Sequence, residues 1–171
     1  MTTDPRTTDP RKSGSAPLLH RRFRVAVGDT DAAQVIYFAA PTRWAERLSS
    51  EWLADVGFPT SKMLAAGFGL PAVHCELTYH SPLRLDDEVD ATLWLDKLST
   101  RSLTFRSDFA LIGAPRPAVR MHLTQVYVRT SGAVPESLPL PEGLVARLQE
   151  HSAGSPLTPA LTHSSKIHHD G

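Results

Sequence analysis

The chain has 171 residues, 41% of them hydrophobic and 21% charged, with 18 basic residues balanced by 18 acidic ones. That length suits one domain, and zero net charge excludes a general nucleic-acid binder, which needs a basic surplus, though not a local basic patch for one phosphorylated ligand. The single cysteine, Cys75, cannot form an internal disulfide, and neither a span of about 18 apolar residues nor a signal-peptide core is present, so the expected location is cytoplasmic.

Residues 1–19 read as a disordered N-terminal arm, in which TTDPR repeats in tandem at 2–6 and 7–11. A folded domain is expected over 20–151. Its first element is a half-buried strand in which Phe23, Val25 and Val27 alternate with Arg22, Arg24 and Ala26. Gly28-Asp29-Thr30-Asp31 then reads as a turn. From about Ala39 the period becomes helical, with Trp44, Leu48, Trp52, Leu53 and Val56 on one face and Arg43, Glu46, Arg47 and Glu51 mostly off it. Pro41 suits the first turn, and Gly57 with Pro59 ends the helix. A short helix is expected at 61–66.

The rest alternates as strands to about residue 130. The expected inward faces are Val73, Cys75, Leu77 and Tyr79; Val89, Ala91, Leu93 and Leu95; Leu103, Phe105, Phe109 and Leu111; and Val119, Met121, Leu123 and Tyr127. Turn signals at Ser81-Pro82, Asp86-Asp87, Ser99-Thr100 and Gly113-Ala114-Pro115 separate them. A last helix is expected at 142–150, and 152–171 reads as a disordered tail whose His163, His168 and His169 are more simply solvated than metal-bound. Hairpin-length connections make the late strands antiparallel neighbours. Only one helix is long and apolar enough to cover them. The expected class is α+β: an antiparallel sheet of about five strands wrapped around one long central helix, which is the hotdog fold.

The segment GDTDAAQVIYFAAPTRWAERLSSEWL at 28–53 carries the functional signal. Asp29, Thr30, Asp31, Val35, Ile36, Tyr37, Phe38, Arg43, Trp44 and Glu46 match a motif, and through it the chain resembles the 4-hydroxybenzoyl-CoA thioesterase family. The stretch LPAVHCELTYHSPLRLDDEV at 70–89 is similar to the 1,4-dihydroxy-2-naphthoyl-CoA thioesterase branch of that family. The resemblance covers roughly residues 20–150. It implies an acyl-CoA thioesterase acting on an aromatic or bulky acyl group, with water as second substrate, no cofactor and no metal. It also implies a homodimer or homotetramer with the active site between subunits.

By the same resemblance, Asp31 is the catalytic carboxylate, acting as nucleophile or as base toward water. The backbone N–H of Phe38 polarises the thioester carbonyl, and Tyr37 lines the acyl pocket beside it. The chemistry agrees: thioester hydrolysis needs a group that attacks or activates water, and donors for the oxyanion. A helix N-terminus just downstream of Asp31 offers free N–H groups. Asp29 reads as structural. Gln34 stands where most relatives have Gly, and either narrows the site or positions water or substrate. Glu46 reads as a buried or capping partner of Arg43 or Arg47, with a catalytic role as the lesser alternative, because a related branch uses a helical carboxylate.

Arg101 and Ser102 match a basic-Ser pair that contacts CoA phosphates in the family, and a guanidinium can chelate phosphate oxygens. A solvated hairpin arginine is the competing reading. His74 either borders the acyl pocket or is a surface or interface histidine. His74, Glu76 and His80 share a strand face, but each pair of positions adds about 6.6 Å, too far for bonds of about 2.0–2.2 Å to one ion. Cys75 is expected in the core. No Gly-x-Ser-x-Gly elbow, phosphate loop or dinucleotide-binding glycine pattern is present. The rival classes are a hotdog hydratase, which lacks its histidine here, a thioesterase acting on carrier-protein-bound polyketide or fatty acyl groups, and a non-catalytic acyl-CoA-binding protein.

Overall fold

The computed structural model describes residues 16–152. Most of the expected N-terminal arm, with both TTDPR copies, and almost all of the C-terminal tail, with its three histidines, lie outside the described residues. Leu18 and Leu19, on the arm side of the expected boundary at 20, are buried in the core.

The first strand, β1, is Leu19–Arg24, and a single 3-10 turn follows at Val27–Asp29. Helix α1 runs Ala40–Asp55 and α2 Thr60–Ala65. Then come β2 (Phe68–Gly69), β3 (Ala72–Tyr79), β4 (Glu88–Leu98), β5 (Ser102–Leu111), β6 (Val119–Val126), β7 (Val128–Arg129) and β8 (Glu136–Ser137). Helix α3, Glu142–Ser152, closes the described chain. The main sheet has five strands in the order β1-β4-β5-β6-β3, and every pairing in it is antiparallel. A small second sheet pairs β2, β7 and β8. This is the expected helix-in-sheet architecture.

The core forms where α1 lies against the inner face of the sheet. Trp44, Leu48, Trp52 and Leu53 are buried at helical spacing. They meet Val89, Ala91 and Leu93 of β4, Leu103, Phe105 and Phe109 of β5, and Val119 and Met121 of β6 in one apolar cluster. Trp52 packs edge-on against Phe105 at 5.8 Å, and Trp44 does the same with Phe109 at 5.3 Å and Phe23 at 5.0 Å. Leu144 and Leu148 of α3 complete the cluster. Among the described residues no helix is long and apolar enough to cross a membrane.

Two expectations are corrected. The first strand ends at Arg24, and Val27, expected inward, sits in the 3-10 turn and is 74% exposed. The apolar alternation continues past the point where the backbone leaves the sheet. Val25 still enters the core, but as a loop residue whose N–H donates to the Asp87 carbonyl. The second correction concerns β3. Leu77 is the one residue of the strand that is even half-buried, and Cys75, expected in the core, is exposed. β3 is the last strand at its end of the sheet, so one of its edges has no neighbour among the described residues, and its inner face reaches beyond the cover of α1.

Candidate active site

Asp31 sits in a tight loop built from its own neighbours. Its N–H donates to the Val35 carbonyl at 2.9 Å, and its carbonyl accepts from Gln34 N–H at 3.0 Å. Thr30 bridges Ile36, and Tyr37 N–H donates to Asp29 carbonyl at 2.7 Å. Residues 29–31 therefore fold back along 35–37, which puts Asp31 beside the approach to α1. Ile36 N–H to the Leu83 carbonyl, and Leu85 N–H to the Gln34 carbonyl, clamp this loop to the segment ahead of β4.

Closing the loop forces Gln34 into the left-handed region, at φ 59°. That conformation favours glycine, so the family's Gly has a backbone reason at this position, and Gln34 adopts the same geometry with an exposed side chain.

The two aspartates of the motif have different surroundings. Both Asp29 oxygens are engaged: Oδ2 accepts from Ala26 N–H at 3.2 Å, and Oδ1 from the Arg43 guanidinium at 3.3 Å. Arg43 also donates to the Gly28 carbonyl at 3.1 Å, tying α1 to the loop. Asp31 is exposed; its Oδ1 accepts from Ala33 N–H at 2.8 Å, and its Oδ2 has no partner among the described residues.

At the start of α1, Ala40 N–H returns to the Tyr37 carbonyl and Thr42 N–H to the Ala39 carbonyl. The N–H groups of Phe38 and Ala39 have no partner among the described residues. Ala39 is the N-cap of α1, a position whose N–H a helix leaves free, and Phe38 stands just ahead of it. The ring of Phe38 is 68% exposed and lies 4.4 Å from that of Tyr37.

A cavity of about 450 Å³ runs from this helix start along the flank of α1 toward its far end. Thr42, Glu46, Ser50 and Leu53 form the helix wall, Met63 of α2 closes one side, and Cys75 of β3 with Met121 of β6 forms the sheet wall. Cys75 thus borders a cavity instead of filling the core, and partial burial pushes its thiol pKa up. Glu46 was expected to pair with Arg43 or Arg47. Arg43 is drawn away to Asp29, and Glu46 accepts from the Ser50 hydroxyl at 2.8 Å. Its place in the wall of the cavity was not foreseen, because helical spacing alone does not show where the sheet leaves α1 uncovered.

Asp31, Tyr37 and Phe38 stand at the α1 start and do not line this cavity. His74 alternates with Cys75 and faces the opposite side of β3, away from it, paired across from Thr124. Arg101 and Ser102 lie at the other end of the sheet, where β4 turns into β5. Arg101 donates to the Ser137 carbonyl at 3.0 Å, and the Ser102 hydroxyl meets that of Ser99 at 2.7 Å. β4 begins next to the Asp31 loop and ends next to Arg101, and 11 residues at about 3.3 Å each separate the two by roughly 30 Å.

A five-stranded antiparallel sheet curled around one long helix defines the hotdog class, and here an exposed carboxylate stands beside N–H groups that have no partner among the described residues. The model of the thioesterase-like superfamily matches residues 25–148, and the chain belongs to that family. It is 33% identical over 93 residues to a 1,4-dihydroxy-2-naphthoyl-CoA hydrolase of Prochlorococcus marinus, an alignment that takes in 50% of this chain and 60% of that relative's length. Among solved structures it is similar to a gentisyl-coenzyme A thioesterase, with TM-score 0.66 and 25% identity over 74% of this chain and 99% of the other. A 1,4-dihydroxy-2-naphthoyl-CoA thioesterase from Synechocystis shares the fold at TM-score 0.70 and 19% identity, over 77% and 95% of the two chains.

Proposed function

We propose that this chain is an acyl-CoA thioesterase for a hydroxylated aromatic acyl group, with Asp31 as its catalytic carboxylate. One observation carries the reading: an exposed carboxylate is held beside a helix start, and its Oδ2 and the Phe38 and Ala39 N–H groups have no partner among the described residues. The thioester carbonyl oxygen accepts from the Phe38 N–H, with the Ala39 N–H beside it as a second donor. The Asp31 carboxylate takes a proton from water as that water attacks the carbonyl carbon, or attacks the carbon itself to give an acyl-aspartate that water then cleaves. In both cases the C–S bond breaks, and the sulfur of CoA leaves with the electron pair and is protonated.

The cavity supports the acyl class. It starts at Thr42, the first helical turn past the free N–H groups, and is walled by Leu53, Met63, Met121 and Leu123. Glu46, one turn further on, about 5.4 Å along the axis, is the one carboxylate in that wall. A largely apolar slot with an acceptor in its wall suits an aromatic ring bearing a hydroxyl donor, and a plain alkyl chain would leave the acceptor unanswered. 1,4-Dihydroxy-2-naphthoyl-CoA is the favoured substrate and other hydroxyaryl-CoA esters come next; a carrier-protein-bound acyl group is the alternative.

The assembly in this reading is a dimer through β3. Its free edge and uncovered faces are what a second copy would satisfy. Antiparallel two-fold pairing of two such edges brings the Arg101–Ser102 turn of one copy to the Asp31 end of the other, which removes the separation of roughly 30 Å within one chain. His74 then lies at the junction.

Glu46 supports a second reading, since it lines the cavity and Asp31 does not: the helical glutamate would then be the base. A thiol-release assay on aromatic and aliphatic acyl-CoA esters tests both. The proposal expects turnover on hydroxyaryl esters that exceeds turnover on alkyl esters, and a Glu46→Gln variant that loses this preference while still hydrolysing. A Glu46→Gln variant with no turnover on any ester would favour the second reading. No turnover by the unaltered chain on any CoA ester would sink both.

A further inference from the structure

Tyr79 ends β3 on the strand's inner face, opposite Val119 of β6. Its hydroxyl donates to the carbonyl oxygen of Phe38, 41 residues earlier. That carbonyl belongs to the same peptide group as the Ala39 N–H, and the Phe38 N–H is one peptide away. Neither N–H has a partner among the described residues, and the Phe38 side chain is 68% exposed. Two backbone dihedrals beside Phe38 would otherwise set where these N–H groups point, with no helical hydrogen bond to hold them. A hydrogen bond into the carbonyl also polarises the amide, which makes its N–H a stronger donor.

We propose that Tyr79 is a positioning residue for the hydrolysis: by holding the Phe38 carbonyl it orients the two free N–H groups that receive the oxyanion. The proposal rests on the thioesterase reading of this site. Tyr79 touches no reacting atom; it acts through the peptide backbone. It lies outside the 28–53 motif, on a strand whose alternation alone reads as ordinary packing. Partial burial, and secondarily the nearby Cys75, push the phenol pKa above its ordinary value, so the hydroxyl keeps its proton at neutral and mildly alkaline pH.

Tyr79→Phe removes one oxygen and keeps the ring. In amide proton–nitrogen spectra of the full chain, the Ala39 and Phe38 signals are expected to move and their hydrogen exchange to quicken, with the thermal midpoint unchanged. On the best acyl-CoA of the panel, kcat is expected to fall roughly tenfold with KM unchanged, less than the loss of an oxyanion donor outright. Wild-type kcat in the variant, or a loss confined to KM, overturns the proposal. An unmoved Ala39 amide overturns it whatever the activity. If Tyr79→Phe moves the Ala39 amide but the unaltered chain hydrolyses no thioester, the thioesterase reading has failed and takes this role with it, leaving only the contact.

Discussion

Gln34 carries the clearest local conflict in the loop. Its φ of 59° is a conformation that costs a residue with a Cβ roughly 1 kcal/mol, and nothing in its exposed surroundings forbids removing the side chain. Gln34→Gly is therefore expected to raise stability by up to about 1 kcal/mol, part of it offset by the greater freedom of glycine in the unfolded chain. Denaturant unfolding reads this directly, and a clear loss of stability would mean that the Gln34 amide holds the loop. Cys75 offers a second probe, since it is the only thiol in the chain. With its pKa pushed up by burial, the thiolate is scarce at neutral pH, so alkylation is expected to be slow there and to quicken as pH rises. A bound hydroxyaryl-CoA is expected to slow it further, because Cys75 borders the cavity. Equal labelling rates with and without the ester would place the acyl group elsewhere.

At the scale of elements, α1 was legible because burying one face of a helix imposes its spacing on the sequence. Trp44, Leu48 and Trp52 recur at that period, and the sheet needs such a face to cover it. Trp52→Ala would leave a hole against Phe105 and is expected to cost about 3–5 kcal/mol, read as a lowered unfolding midpoint. A loss below about 1 kcal/mol would mean that this contact is not central to the core. The strands were less legible. Val73, Cys75, Leu77 and Tyr79 alternate as a core strand does, yet β3 is exposed, because alternation records which side is apolar and not what covers it. Val25 and Val27 prolonged the apparent first strand for a similar reason: apolar spacing survives past Arg24, where the backbone has already left the sheet. The strands β2, β7 and β8 have two residues each, too few for any period. The Asp31 loop was legible through its motif. The placement of Glu46 and the contact from Tyr79 to Phe38 were not, since both depend on where the sheet edge falls across the helix.

At the scale of the molecule, one chain supplies Asp31 at one end of the sheet and Arg101 at the other. The proposed dimer is what unites them, so light scattering is expected to give twice the 18.7 kDa chain mass, and dilution to monomer is expected to remove activity along with mass. A monomer that turns over at full rate would refute the shared site. The whole account rests on Asp31. The most direct test is the steady-state hydrolysis of a hydroxyaryl-CoA ester by the unaltered chain and by Asp31→Asn, which keeps the shape and the Ala33 hydrogen bond but removes the charge. The account predicts a fall in kcat of about 10²- to 10⁴-fold, the usual worth of an acid–base group, with folding intact. An Asp31→Asn variant that hydrolyses the ester at the unaltered rate would contradict it.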